Sequence, residues 1–325
     1  MSVLVDLIVM LGMLVVVPAG LRLAGAPELD RIRRLWPLFA VPGAVALWLP
    51  RGGPATVLAG CYALGAVLLA LHAPLRPLRA IRASAAHRTA EIALFTALVT
   101  PSVAATALVA ERSGHALFGF GLGILALTVP HFHFAGFAAA LIAGLVCRVA
   151  DGPAGTFAAS SVPAGTLLVL IGYFIGDWAE LAGAVVLTAG MWTVALLTWR
   201  TIRGSGRDRT TRMLFAVSSA VLVATMVLAL SWALGEATGL PHPTLTWMAA
   251  THGLGNALGF ALCSVLAWRR LQDRPEQAPP EQPPPDCPRT ERPPAAPALT
   301  TSVRTDPPLT GPALTDLADL KGRTS

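Results

Sequence analysis

The chain has 325 residues, of which 54% are hydrophobic and only 13% charged, with a mean hydropathy of +0.63 and a formal net charge of +6. Soluble globular domains carry about 25% charged residues, so half that density cannot cover a globule of this size with solvated side chains. A soluble enzyme and a nucleic-acid-binding domain are excluded, and the basic balance belongs to loops beside a bilayer.

A hydrocarbon core about 30 Å thick takes about 20 apolar residues per helix. On that measure the sequence predicts an all-α bundle of nine crossings, over residues 3–21, 35–50, 54–72, 90–110, 118–148, 160–176, 179–199, 212–234 and 244–268. No basic residue precedes Arg22, so the first run reads as a retained span rather than a cleaved leader. The second and sixth runs are short. The fifth is too long for one upright helix and holds Pro130, so it is expected to be tilted or broken, with a late start.

Arginine alternates between loops. Segments 22–34, 73–89 and 200–212 and the exit at Arg269 and Arg270 are arginine-rich. The loops between them carry Arg51, then Glu111 with Arg112, then Asp177 with Glu180, then Glu236. Basic residues gather on the cytoplasmic side of a membrane, so the expectation is a multi-pass protein of the bacterial cell membrane. Its N-terminus would be outside and its C-terminus in the cytoplasm. The helical domain is expected over 1–271. Prolines at 279–280, 283–285, 293–294 and 307–308 predict a disordered tail over 272–325. Cys61, Cys147, Cys263 and Cys287 form no C-x-x-C pair, which argues against a disulfide framework or a zinc motif.

Ionisable and amide groups inside apolar runs are costly and mark functional sites. The fifth run contains Pro130-His131-Phe-His133-Phe-Ala-Gly136-Phe137, and the ninth contains His252-Gly-Leu-Gly255-Asn256-Ala-Leu-Gly259-Phe260. Residues two apart on a regular helix point about 200° from one another, so His131 and His133 cannot share a face unless the proline rotates one of them. His133 falls in a small-residue row with Gly136, whereas His131 falls on what reads as a lipid face. Proline also frees the carbonyl of Ala126 as a partner for an imidazole. His252 and Asn256, four apart, share a face, and Gly255 with Gly259 makes a close-packing G-x-x-x-G.

Four readings of His131, His133, His252 and Asn256 stay open at this point: mutual hydrogen bonds that tie helices, a bound or transported small polar solute, a haem or metal ion, and an intramembrane hydrolase. No H-E-x-x-H, G-x-S-x-G or paired aspartates favour the last. Asp177 and Glu180 form a second candidate, either capping a helix or capturing a cation. Lipid is the one partner the composition requires.

The two histidine motifs together resemble the YndJ-like family of bacterial multi-pass membrane proteins over roughly residues 30–270. That resemblance implies a membrane bundle, sometimes labelled a transporter, and singles out His131, His133, Gly136, His252 and Asn256 without giving them a role.

Overall fold

Runs of Leu, Val and Ala broken by glycine and proline at the turns produce nine long helices among the described residues. The computed structural model describes residues 2–273 apart from 26, 82, 83, 151, 205 and 206. In chain order the helices are α1 (Val3–Leu23), α2 (Pro27–Ala46), α3 (Gly53–Leu78, interrupted after His72), α4 (Ala86–Ser113) and α5 (Leu122–Val149). After these come α6 (Pro153–Ile175), α7 (Asp177–Ile202), α8 (Arg209–Thr238) and α9 (Leu245–Gln272). No strand occurs among these residues beyond one isolated bridge, Leu117 to Phe120, in the loop before α5. The late start expected for the fifth crossing is seen at Leu122. The sixth gains length because Pro153, which needs no hydrogen-bonded N–H, opens its first turn. The expected tail over 272–325 lies outside the described residues except for Gln272 and Asp273.

Eight of these helices are long and apolar enough to cross a membrane, which makes the chain a multi-pass membrane protein. The expected crossing 35–50 is the one that fails on composition. Its helix, α2, begins early, and its first turns hold Asp30, Arg31, Arg33 and Arg34, leaving only the second half apolar. Even so, α2 passes between the two ends of the bundle. It runs antiparallel to α3, with Gly43 against Tyr62 and Phe39 against Gly65. Beyond its end, the carbonyl of Leu47 accepts from Arg112 at the close of α4. Just before its start, the carbonyl of Ala24 accepts from Arg76 at the far end of α3. Charge in the first turns, not lack of reach, sets α2 apart.

Two ionic knots hold the ends. At the end where α1 finishes, Glu91 is buried in α4 and accepts from Arg148 of α5, with Arg76 Nε at 3.0 Å. Two guanidiniums neutralise it. At the other end Glu111 is buried between Arg112 and Arg51, whose Nη2 lies 2.7 Å from the carboxylate. Elsewhere, exposed Leu38, Val57, Leu71, Ile175 and Val227 present the apolar surface that acyl chains solvate.

Small residues bring backbones together, as expected where lipid gives no hydrophobic drive to helix association. A close case is α6 against α7, where a Cβ on Gly165 would stand 2.5 Å from the Leu187 backbone nitrogen. No rotamer change relieves a clash with backbone. Gly165→Val is therefore expected to cost roughly 1–3 kcal/mol or more and to lower the unfolding midpoint in detergent. Gly60→Val, with nothing within 4 Å of its added Cβ, serves as the control that stays close to wild type.

Candidate functional site

The polar candidates sit where the helices depart from regular winding. In α5, residues Phe132–Ala138 form wide π turns directly after Pro130. In α9, Ala249–Gly253 and Gly255–Leu262 do the same, and in α1 so do Gly12–Val16. Such turns are uncommon and gather at functional sites. Here they have a geometric effect: an extra residue per turn lets His131 and His133 face different neighbours that are both inside the bundle.

His133 is fully buried and both ring nitrogens are used. Nδ1 lies 2.7 Å from the carbonyl of Val129, which can only accept, so Nδ1 carries the proton. Nε2 then accepts from the Tyr62 hydroxyl at 2.5 Å, and the two rings stack at 5.7 Å. The partner carbonyl is that of Val129, not that of Ala126 as the sequence reading expected. Gly12 makes room for this arrangement, since a Cβ there would meet the His133 Cβ at 2.9 Å. Tyr62 in turn contacts Trp36, whose indole N–H donates to the carbonyl of Met13. His133 is thus the centre of a tie between α5, α3, α2 and α1.

The other three candidates meet at a cavity. A volume of about 250 Å³ opens among α1, α5, α6, α7, α8 and α9, and His131, His252 and Asn256 line it. The lipid face expected for His131 is therefore an inner face, covered by neighbouring helices. His252 Nδ1 donates to the Thr225 carbonyl at 2.8 Å, and its Nε2 accepts from the Asn256 amide at 3.1 Å. The Asn256 oxygen accepts from the Thr225 hydroxyl at 2.8 Å. One amide hydrogen of Asn256 is left over. His131 makes no hydrogen bond or ion pair among the described residues, its only ring contact being an edge with Phe132. One imidazole and one N–H are therefore available to a guest.

The remaining lining is mainly apolar, including Leu127, Phe134, Leu187 and Met226, with Tyr173, Trp232 and Glu180 among the rest. His131 and His252 lie within roughly the first three turns of their helices, toward the Glu111 end, and the lining runs from there past mid-helix to Ala139, Met191 and Phe260. Asp177 and Glu180 part company: Asp177 is exposed, whereas Glu180 lines the cavity from the first turn of α7. His242, at the surface, pairs with Glu236 at 3.1 Å and packs over Gly235. Gly136 meets Thr100, Gly255 meets Thr225, and Gly259 meets Val221, each at 2.9 Å or less for an added Cβ.

The arrangement bears on metal chemistry. His133 and His252 have no ring nitrogen to spare, and His133 does not line the cavity. No group of three or more His, Cys, Asp or Glu that could hold a metal ion occurs among the described residues. The sequence reading missed Tyr62, Thr225, Tyr173 and Trp232. The chain has only two tyrosines, both placed in apolar runs, and that scarcity was a usable signal.

Comparison with known proteins agrees with the resemblance carried by the two histidine motifs. The family model described as YndJ-like protein matches residues 7–260, most of the chain. No curated protein and no solved structure matches it.

Proposed function

We infer that this chain, which belongs to the YndJ-like family, binds a small amphiphilic solute in the cavity beside His131. The observation that carries the reading is the unequal treatment of the polar groups. His133, His252 and Thr225 are satisfied by the protein itself, whereas His131 and one amide hydrogen of Asn256 face the cavity with no partner. A polar group in an apolar, water-poor interior without a hydrogen bond costs on the order of several kcal/mol, and a ligand that supplies the bond recovers it. The apolar walls then take the ligand's hydrocarbon part. The reading places the protein in the cell membrane, reached from the bilayer or the aqueous face nearer Glu111. Helix tying, the competing account of these residues, describes His133 well and His131 not at all.

The test uses a simple phenol whose para position bears a tert-butylethyl arm. Equilibrium dialysis against full-length protein in nanodiscs measures its binding. His131→Phe keeps the ring volume and removes the nitrogen atoms. It is expected to weaken binding roughly tenfold, the worth of one hydrogen bond to a buried group. The unfolding midpoint should stay near wild type because no protein partner is lost. Equal affinity in wild type and variant would show that the cavity does not read polar groups through His131.

A further inference from the structure

The cavity lining holds one acidic side chain. Glu180 is the only Asp, Glu, Lys or Arg on it, and no hydrogen bond or ion pair to it occurs among the described residues. No basic side chain lies on the lining beside it, and the groups that interact with it electrostatically are Asp177, Glu236 and the Tyr173 ring. Glu236 is occupied by His242, and Asp177 points to the exposed surface. A carboxylate in the first turn of a membrane-crossing helix gains some support from that helix's N-terminal N–H groups. It still has no counter-ion, unlike Glu91 and Glu111, which each face two guanidiniums.

Tyr173 and Trp232 share the lining with it. Tyr173 follows Gly172, whose added Cβ would be 2.5 Å from the Glu180 Cα, so α6 and α7 approach closely there and the phenol lies within electrostatic reach of the carboxyl group. Trp232 lines the cavity from α8 and meets His242 in a T-shaped pair with ring centroids 6.4 Å apart. A carboxyl group that shares the wall of an apolar chamber with a phenol and an indole is the chemistry that recognises an organic cation, whose own charge favours the ionised carboxylate. An anion would be repelled, and a compact, strongly hydrated metal ion would find too few oxygen ligands.

We propose that the solute bound in this cavity is a lipophilic amine or quaternary ammonium, its cationic head held by Glu180 between Tyr173 and Trp232 and its body directed toward His131 and Asn256. The proposal rests on the cavity being a solute site at all, and it adds the sign of the charge and the end at which it sits. Deep in the cavity the ligand meets hydrogen-bonding groups; near the helix termini it meets the carboxylate. A para-substituted phenol with a cationic arm matches both ends.

The experiment compares two probes of one shape: the phenol with a tert-butylethyl arm, and the same phenol with a trimethylammonioethyl arm. Both are dialysed against full-length protein in nanodiscs. Wild type is expected to prefer the cation by roughly tenfold, from ion pairing and ring contacts together. Glu180→Gln should abolish that preference, and Glu180→Asp should retain part of it. Thermal unfolding of each variant in detergent certifies that it is folded. Equal binding of the two probes to wild type would overturn the proposal and leave the cavity reading intact. So would a cation preference that survives Glu180→Gln. Binding of neither probe would overturn both.

Discussion

Replacing Glu91 by Gln is expected to lower the stability of the folded chain by about 3–5 kcal/mol, the cost of leaving buried charge without its counter-ion. Both members of the central pair are nearly inaccessible, Arg76 at 7% and Glu91 at 6%, so water cannot take over the lost role. Arg148 sits on the opposite carboxylate oxygen, so the substitution leaves two guanidiniums facing each other across an amide. The double variant Glu91→Leu with Arg76→Leu should recover much of the loss, because it removes buried charge of both signs and lets Arg148 turn outward. Recovery should be incomplete, since Arg76 also closes the end of α1 through the Ala24 carbonyl. Thermal unfolding in detergent reads all three proteins. A Glu91→Gln midpoint equal to wild type would mean that water reaches the knot.

His133→Leu is expected to be nearly as damaging, at roughly 2–4 kcal/mol, because it strands the Tyr62 hydroxyl in an apolar interior and leaves the Val129 carbonyl with only a backbone donor. Tyr62→Phe should cost about 1–3 kcal/mol through the lone Nε2 it leaves behind. The two losses should not add. A hydroxyl and an imidazole that serve one another are missed once, and contacting pairs of this kind show coupling of about 0.5–3 kcal/mol. Full additivity would mean that the two groups do not bond. Set beside His131→Phe, which should leave stability alone and change binding, this pair separates a scaffold imidazole from a ligand-facing one only two residues away.

Much of the architecture was legible in the sequence. Length, apolar runs and the alternation of arginines among the loops gave the helices and their order, because a bilayer imposes one demand on every segment. The second crossing was misjudged in extent. Its helix enters through five charged residues, of which Asp30, Arg31 and Arg34 are exposed, and a hydropathy count treats such residues as loop. The site was half legible. Histidines and an asparagine in apolar surroundings are conspicuous, and both motifs do lie on helices that meet. What a periodicity argument could not supply was the winding. Regular geometry put His131 against lipid and His133 in the small-residue row with Gly136. The wide turns after Pro130 gave His133 to Tyr62 and brought His131 to the cavity. Tyr62, seventy-one positions earlier in the chain, could be paired with His133 only by knowing how α3 lies against α5.

The cavity reaches from the Glu111 end of the bundle as far as Ala139, and beyond it α5 is buried throughout, from Ala140 to Cys147, among its neighbours. On the reading proposed above, a molecule resting beside His131 has this packed segment as a plug between it and the Glu91 end of the bundle. Any journey to the opposite compartment would require the plug itself to part, and Glu91 with its two arginines is the clasp that such an opening would first have to release.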